Sequence, residues 1–451
     1  MILTLGFGLK VLFLSSDTGG GHRASAESLG AQFELLFEGS SYDLLDLATE
    51  AYLPPYNSIV PYYKHLSAHP NQWKLIYGAS NSRVMERVVE TNIKVMTVVC
   101  ERNIRKKIKA YHPDVVVSVH PLQTSVPILS CAKISNETGK HLPMFTVVTD
   151  LGSAHSTWFA GGVEKLFVGS TQIHTIARNK GIPEEKLELV GLPIRYDFAV
   201  ESERLGDGRM TEKGKEYQRE VREKLNLPAV DRKTLLVMGG GEGNGALSNI
   251  VDALYIEFVK QGVDAVIMVV CGRNEVLVKS LEDRNWDEVS VVPLGFVKNM
   301  AQYMVAADVL ISKAGPGTIS EAAALSLPVM LTSFLPGQEE GNVDYVVEGG
   351  FGSFCQDTDP EAVAEEVTLW LNDEIKLTEM SDMAKKAGHP YAARDIVKQI
   401  DLSDDEKEKE AIAKIVAEEE KKLSAELRAS AVITSSEENS EDVESETMDT
   451  I

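Results

Sequence analysis

The segment SSDTGGGHRASAE (15–27) holds the residues best suited to proton transfer. It follows an apolar run, and its glycines let the backbone turn sharply and approach a ligand closely, which would place Gly20 and Gly21 beside a bound hydroxyl compound. A helix beginning near His22 would direct its N–H groups into a cleft at the ends of the strands. With an ordinary pKa of about 6.5, the imidazole of His22 suits a general base that takes a proton from an attacking hydroxyl. The alternative is a glycine turn whose histidine only caps the helix.

The segment MGGGEGNG (238–245) is a second glycine-rich turn after an apolar run. A dinucleotide site is the rival interpretation, but the pattern is not a clean G-x-G-x-x-G. The next apolar run also ends at Cys271 and Gly272, rather than at the acidic residue that would hold a ribose. We therefore expect Gly241 and Gly243 to contact a diphosphate or the opposite side of a cleft, without hydride chemistry.

A third segment, ISKAGPGTISEAAALSLPVMLTSFLPGQEEGN, is the most specific. An apolar run ends at Lys313, and the turn 315–318 leads into a helix whose bare N-terminus predicts a diphosphate site. Glu321, one turn into that helix, could accept hydrogen bonds from both ribose hydroxyls of a nucleotide. Gln338 and Glu339 follow the next apolar run and supply the donors and acceptors that sugar hydroxyls require. The alternative is an ordinary helix start followed by a polar loop. The residues expected to bind a nucleotide sugar are Gly241, Gly243, Lys313, Gly315, Gly317, Thr318, Glu321, Gln338, Glu339 and Asn342.

The elements that must position these residues are short, continuous Val/Ile/Leu runs separated by turns and helical periods. Such runs predict parallel strands that are buried on both faces. Their alternation with helices predicts an α/β fold of two doubly wound, Rossmann-like domains facing across a cleft. The predicted strand segments are 11–15, 114–119, 144–149, 165–169 and 187–191, then 234–239, 265–270, 289–295, 308–313 and 328–333.

These patterns divide the chain into an N-terminal domain (1–200), a charged linker region with a surface helix (201–232), a C-terminal domain (233–400) and a tail (401–451). The tail is expected to be largely disordered, because it is strongly acidic and has little apolar surface to bury. The formal net charge of −23 argues against general nucleic-acid binding, since phosphate backbones favour a positive surface.

The sequence predicts no disulfide and no metal or cofactor. Cys100, Cys131, Cys271 and Cys355 form no CxxC pair and lie in or beside apolar stretches, so buried free thiols in a reducing compartment are expected. No DxD-type pair stands out as a metal site.

The segment 51–77 is rich in aromatic residues and poor in charge, and it fits neither a strand nor a long helix well. Tyr62, Tyr63 and Trp73 belong to it, and such rings settle at membrane interfaces. Burial of these rings under a loop explains the aromatic composition equally well. A nearby basic cluster is compatible with anionic lipid headgroups, although a solvated helix face explains it as well. The cluster comprises Arg102, Arg105, Lys106, Lys107 and Lys109.

Two further expectations concern membranes and targeting. No apolar run approaches the about 20 residues that a transmembrane helix needs. The apolar run 11–15 is expected to be the first strand rather than part of a signal sequence, and no transit peptide is evident.

These motifs resemble the monogalactosyldiacylglycerol synthase family, relatives of the bacterial glycosyltransferase that adds N-acetylglucosamine to lipid precursors. The matching segments lie in order across residues 9–395, so the resemblance covers both domains and not the acidic tail. They are SSDTGGGHRASAE (15–27), VTDLGSAHSTWF (148–159), VGLPIR (190–195), GGGEGNG (239–245) and the blocks KAGPGTISEA and PGQEEGNVDYVVEGGFG within 313–352.

The resemblance implies a GT28-like enzyme of the GT-B fold that transfers galactose from UDP-galactose to diacylglycerol and inverts the anomeric carbon. It implies that His22 is the general base, that Glu339 contacts the galactose, and that the turn 315–318 and Glu321 bind UDP. Trp158, in the second matching segment, is expected with the aromatic loop near the acceptor or the membrane. Activation by anionic lipids and a peripheral position on the plastid envelope are also implied.

The sequence departs from the family pattern at Ala154, where cysteine is expected, and at Ser156, where proline is expected. These departures leave the donor motifs intact and affect the acceptor side. Glucose instead of galactose as the transferred sugar stays open, because the two sugars differ only in the configuration at one hydroxyl. A UDP-sugar 2-epimerase and a UDP-sugar-binding sensor without catalysis rank below transfer.

Overall fold

A computed structural model of the chain describes residues 8–16, 20–50, 69–80, 83–239 and 246–400. Within them the chain forms two parallel six-stranded sheets, each covered by helices. The two-domain α/β fold predicted from the sequence is therefore confirmed.

The first sheet has the strand order β2-β1-β3-β4-β5-β6. Its central strands are buried on both faces because helices cover both sides, which explains their unbroken apolar runs. The strands are β1 (Lys10–Leu14), β2 (Ser41–Leu45), β3 (Val115–Ser118), β4 (Met144–Val147), β5 (Leu166–Val168) and β6 (Leu187–Leu189). The helices along this part of the chain are α1 (Gly20–Leu36), α2 (Leu47–Glu50), α3 (Pro70–Ser80), α4 (Arg83–Tyr111), α5 (Ser125–Thr138), α6 (Thr171–Asn179) and α7 (Tyr196–Leu205).

The second sheet has the order β12-β11-β10-β7-β8-β9, with all neighbouring strands parallel. Its strands are β7 (Lys233–Met238), β8 (Ala265–Val270), β9 (Ser290–Leu294), β10 (Val309–Ser312), β11 (Val329–Leu331) and β12 (Gly352–Phe354). The helices here are α8 (Glu212–Lys224), α9 (Leu247–Gln261), α10 (Glu275–Glu282), α11 (Met300–Ala306), α12 (Pro316–Ala324), α13 (Glu340–Glu348), α14 (Pro360–Asn372), α15 (Glu374–Ala387) and α16 (Ala392–Gln399).

In each sheet the strand order reverses between two central strands, β1 and β3 in the first sheet and β7 and β10 in the second. Ligands of open α/β sheets bind outside the carboxyl ends of the strands at such reversals. His22 follows β1, and the turn 315–318 follows β10. The topology therefore brings both predicted chemical segments to the places where this fold binds ligands.

The segment 201–232, predicted to be a linker with a surface helix, packs into the second domain. Arg209 is buried and donates hydrogen bonds to the carbonyl oxygens of Met304 (2.9 Å), Leu325 (3.0 Å) and Ala307. Arg222 donates to the carbonyl of Ala306 at 2.8 Å. These two arginines of the predicted linker therefore hydrogen-bond to backbone carbonyls of the second domain instead of facing solvent.

The last helix, α16, returns to the first domain. Its buried residues Ala393, Ile396 and Val397 join the core that contains β1 and α1. The chain thus crosses between the two domains twice.

Three other expectations meet the structure here. All four cysteines are free, as predicted, and three of them are buried. The end of the aromatic segment, residues 70–77, lies in α3, a short helix of 11 residues, where the sequence fits neither a strand nor a long helix well. Within the described residues, no helix is both long and apolar enough to cross a bilayer. Tyr62, Tyr63 and the tail 401–451 lie outside the described residues.

Candidate active site

The turn between β1 and α1 places His22 at the carboxyl end of the first sheet. Helix α1 begins at Gly20, two residues earlier than predicted. A Cβ atom added to Gly20 or Gly21 would meet no described atom within 4 Å. His22 Nδ1 lies 2.7 Å from the hydroxyl oxygen of Thr149, which follows β4. The predicted base is therefore held by a hydroxyl group from a neighbouring strand end.

His22 lies among rings rather than charges. Its imidazole meets the ring of His120 edge-on, with 4.8 Å between centroids, and lies 6.1 Å from the ring of Trp158. Burial in these surroundings lowers the pKa of His22 to about 4, and a hydrogen bond to the Val119 carbonyl opposes that shift only weakly. The imidazole is consequently neutral at physiological pH, which is the form a general base needs.

His120 is a second neutral histidine at this strand end. Its Nδ1 accepts a hydrogen bond from the Leu122 backbone N–H at 3.2 Å, so the proton of the neutral ring is on Nε2. Burial lowers the pKa of His120 well below its ordinary value, and the proximity of His22 lowers it further. Two adjacent histidines therefore remain uncharged together.

Asp150 is a buried carboxyl group next to Thr149 in the chain. Its Oδ2 accepts a hydrogen bond from Trp158 Nε1 at 2.7 Å. Burial raises the pKa of Asp150 to about 7; the Trp158 hydrogen bond opposes this shift, and the negative charge of Glu339 adds to it. Asp150 thus titrates near neutrality and senses the predicted sugar-binding carboxylate across the cleft.

The expectation that Trp158 lies at a membrane requires correction. Its side chain is fully buried between Asp150 and His22. A ring with no exposed surface cannot insert into a lipid interface. The other part of the expectation, a place near the acceptor, stays a prediction, and the ring lies 6.1 Å from that of His22.

The turn after β10 forms the predicted helix N-terminus on the second domain. Gly315 is the N-cap of α12, and Pro316 occupies the first turn, where its lack of an N–H costs nothing. Among the residues that the structure describes, no side chain caps this terminus, and nothing lies within 4 Å of the position of a Cβ on Gly317. The free N–H groups of residues such as Thr318 leave this turn suited to a diphosphate.

Glu321, the predicted ribose ligand, is engaged by the other domain. Arg195 donates from Nη2 and Nε to Glu321 Oε1 at 3.0 and 3.2 Å. Burial raises the pKa of Glu321 to about 7, and the guanidinium of Arg195 opposes that shift. The carboxylate is therefore part of an interdomain ion pair, and its Oε2 has no hydrogen bond within the described part of the chain.

Glu339, the predicted sugar ligand, is almost completely buried. Its Oε1 lies 3.3 Å from Lys313 Nζ, and its Oε2 accepts from the Leu335 N–H at 2.9 Å. The ammonium group balances the carboxylate, and the backbone bond fixes its orientation. Lys313 and Glu339 thus form one unit at the carboxyl ends of β10 and β11.

Asn342 has a different role from the predicted one. Its Oδ1 accepts from the Gly152 N–H at 2.9 Å, and its Nδ2 donates to the Ala314 carbonyl at 3.0 Å. Because the amide is buried with both ends in use, Asn342 cannot bind the donor without breaking these bonds. It joins the two domains instead.

Two further contacts close the same boundary. Ser153 Oγ donates to the Gln338 carbonyl at 2.9 Å. Gly152 approaches Gly341 so closely that a Cβ on Gly152 would lie 1.7 Å from the Gly341 carbonyl oxygen. The loop 150–153 of the first domain therefore packs directly on the loop 338–342 of the second.

Helix α3 brings part of the aromatic segment to this boundary. A Cβ on Gly337 would lie 3.0 Å from the Tyr77 ring, and the φ of +82° at Gly337 also favours glycine. The Tyr77 ring lies 5.7 Å from Trp73 and 5.6 Å from His155. Trp73 is thus linked through Tyr77 to Gly337, the residue before the loop 338–342.

The structure places His22, Lys313, Glu321 and Glu339 beside contacts at the boundary between the two domains. It leaves Gly241 and Gly243 outside the described residues. No group of three or more potential ligands for a metal ion occurs in the part of the chain that the structure describes. Sequence reasoning missed Thr149, Asp150, His120 and Arg195. The first three follow β3 or β4, so the rule that selects residues at the carboxyl ends of strands could have found them.

Comparison with known proteins identifies the family. Residues 22–194 match the family model described as monogalactosyldiacylglycerol (MGDG) synthase, and residues 234–400 match the glycosyltransferase family 28 C-terminal domain. Monogalactosyldiacylglycerol synthase 1, chloroplastic, of Arabidopsis thaliana is 36% identical over 397 residues, covering 86% of this chain and 70% of the relative. A probable monogalactosyldiacylglycerol synthase 2, chloroplastic, of Oryza sativa subsp. indica is 37% identical, covering 87% and 80%.

The chain belongs to the monogalactosyldiacylglycerol synthase family. This monogalactosyldiacylglycerol synthase family member is therefore a hexosyltransferase, as the sequence resemblance implied.

Solved structures agree with the GT-B fold of this monogalactosyldiacylglycerol synthase family member. MurG of Acinetobacter baumannii aligns with a TM-score of 0.54 at 16% identity, covering 87% of this chain and 99% of MurG. The UDP-GlcNAc 2-epimerase of Neisseria meningitidis aligns with a TM-score of 0.52 at 13% identity, covering 86% and 99%. Because both proteins are less than 25% identical to this chain, these likenesses establish the architecture alone.

Proposed function

We propose that this chain transfers galactose from UDP-galactose to sn-1,2-diacylglycerol, with inversion at the anomeric carbon, and that His22 is its general base. The observation that carries the proposal is the contact between the loops 150–153 and 338–342. Through Thr149 the first loop adjoins the neutral histidine, and the second bears Glu339. A hydroxyl compound at the first domain would thus meet a sugar at the second.

In the proposed reaction, His22 takes the proton of the diacylglycerol hydroxyl as its oxygen attacks C1 of the galactose. The bond between C1 and the UDP oxygen breaks, and its electron pair leaves with UDP. The N–H groups at the start of α12 stabilise the negative charge that develops on the diphosphate. Glu339 orients the sugar by accepting hydrogen bonds from its hydroxyls, while Lys313 balances its charge.

Association with a membrane surface is supported by the first domain. Exposed apolar residues recur along α3 and α4: Leu75, Ile76, Val88, Val95, Val98 and Val99. So many exposed apolar side chains on two consecutive helices favour contact of this surface with lipid. The basic cluster beside them is only partly available, because Arg105 and Lys109 both pair with Glu137. We infer that activation by anionic lipids uses Arg102 and Lys106, which are exposed.

We propose a peripheral position on the plastid envelope, because the relatives are named chloroplastic. Diacylglycerol is itself a membrane lipid, so its acceptor hydroxyl is presented at a bilayer surface. An enzyme that acts on it there requires only a surface contact.

The test uses purified full-length protein and mixed micelles that contain diacylglycerol. UDP-galactose and UDP-glucose are supplied separately, with and without an anionic lipid, and the lipid products and their linkage are determined. We expect a β-galactosyl lipid, formed faster when the anionic lipid is present. A glucosyl lipid would change the sugar and retain the mechanism. Absence of lipid product with both donors, despite measurable binding of UDP, would overturn the proposal.

A further inference from the structure

A histidine base works only when its ring is held so that one nitrogen faces the substrate. The other nitrogen is normally fixed by a hydrogen bond, which sets both the orientation and the tautomer. The group that holds His22 is therefore part of the catalytic apparatus, although it does not touch the substrate.

The neighbouring carboxyl group does not hold His22. Asp150 is directed to Trp158 Nε1, and within the described residues no carboxylate hydrogen-bonds to the His22 ring. His120 does not hold it either, because the two imidazoles meet edge-on and Nδ1 of His120 accepts the Leu122 N–H. Two groups therefore hold the ring: the backbone carbonyl of Val119, which hydrogen-bonds to the imidazole, and the hydroxyl of Thr149, whose Oγ1 lies 2.7 Å from His22 Nδ1. Of these two groups, the Thr149 hydroxyl is the one that belongs to a side chain.

We propose that Thr149 is the positioning residue of the His22 base. Its hydroxyl oxygen accepts a hydrogen bond from the Nδ1–H group, so that Nε2 faces the diacylglycerol hydroxyl. This inference deepens the proposed function and rests on it, since it requires His22 to act as the base.

Two properties of Thr149 suit this role. Its side chain is buried and β-branched, and it directly follows a central strand, so the hydroxyl has little freedom to move away. A hydroxyl oxygen can also accept a hydrogen bond from Nδ1–H both before and after Nε2 gains a proton, and it adds no negative charge to the site. It therefore orients the ring in both states while leaving the base neutral.

Thr149→Val tests the role, because valine keeps the shape and removes the hydroxyl. We expect kcat to fall about 10- to 100-fold with little change in KM for either substrate. Thr149→Ser keeps a hydroxyl and should recover most of kcat. Thr146→Val is the matched control: Thr146 is a buried threonine on β4 whose hydroxyl has no hydrogen-bond partner among the described residues. Its kcat should be unchanged.

His22→Ala separates this inference from the proposed function. If His22→Ala is inactive and Thr149→Val behaves like Thr146→Val, the positioning role is overturned and the base assignment stands. If Thr149→Ser is as impaired as Thr149→Val, the hydroxyl is not the important group and the positioning role is again overturned. Full activity of His22→Ala would overturn both.

Discussion

The two strand-to-helix junctions that face the cleft, β1–α1 and β10–α12, differ in how they treat charge. At β1–α1 the groups around His22 are a hydroxyl, two rings and a carbonyl, and burial keeps the imidazole uncharged. At β10–α12 the carboxylate of Glu321 pairs with Arg195, and Lys313 at the end of β10 pairs with Glu339, which follows β11. One side of the cleft suits proton uptake, and the other suits a charged diphosphate and its sugar.

This difference follows from the chemistry that each side must perform. A base with a lowered pKa is unprotonated before the substrate arrives. A site for a dianionic leaving group needs N–H groups, and any carboxylate in it must be paired with a basic side chain. The loops 150–153 and 338–342 join the two environments, so the geometry of one constrains the other.

Removing the base should produce the largest effect. We expect His22→Ala to lower kcat about 10²- to 10⁴-fold and to leave the affinity for UDP unchanged, because the groups that contact the His22 ring all belong to the first domain. Transfer to diacylglycerol and UDP binding are measured on the same preparation. His174→Ala, a histidine on α6, is the control and should retain activity. A loss of UDP affinity in His22→Ala would mean that the two sides are not separate.

Disturbing the junction between the sides should come next. In Gly152→Ala the new methyl group meets the Gly341 carbonyl, so the loops must separate and the base moves away from the sugar. We expect kcat/KM to fall about 10²-fold for both substrates, and the melting temperature of the protein to fall as well, because the atoms that must move belong to the backbone. Gly161→Ala is the control, because a Cβ there meets nothing within 4 Å. Wild-type kinetics in Gly152→Ala would show that the loop contact is dispensable.

On the charged side, Glu339→Gln should act on the donor alone. The amide keeps the shape but loses the strong acceptor and leaves Lys313 unbalanced, so we expect kcat/KM for UDP-galactose to fall about 10- to 100-fold. Steady-state kinetics at fixed diacylglycerol measure this effect. The exposed neighbour Glu340 offers the control variant Glu340→Gln. An effect confined to the KM for diacylglycerol would contradict the assignment.

The smallest effect is expected from Glu321→Gln, since the Arg195 side chain that pairs with Glu321 is partly exposed and its ion pair is screened by water. The pKa of Glu321 is about 7, so lowering the pH through 7 protonates it and breaks the pair. UDP affinity of the wild type should therefore weaken a few-fold between pH 8 and 6, and this dependence should diminish in Glu321→Gln. Titration calorimetry at several pH values measures it. The same pH dependence in both proteins would exclude Glu321 as its source.

The sequence predicts much of this fold because buried parallel strands leave continuous apolar runs. Every predicted strand segment overlaps an observed strand. The missed strands β2 and β12 lie at sheet edges, and their sequences, SYDLL and GSF, are polar or too short to form such a run. Edge strands need less apolar character because one side of each lacks a neighbour.

The site was predictable only in part. His22 and Glu339 stand in local motifs, so their sequence context indicates them. The partners Thr149 and Arg195 are more than 120 residues from the groups they contact, and no local pattern reports such pairs. Asn342 shows the reverse error: its motif indicates a ligand contact, whereas its amide is used by backbone groups of both domains.

The claim that the β1–α1 side of the cleft keeps its base uncharged is tested most directly by a titration of His22 by nitrogen-15 NMR in the full chain. The signal of His22 is assigned by its loss in His22→Gln. We predict that the ring stays neutral from pH 7 down to about 5 and gains a proton only near its lowered pKa of about 4. Protonation at the ordinary histidine value, 6.5, would show that the base is not kept neutral by its surroundings and would contradict the account.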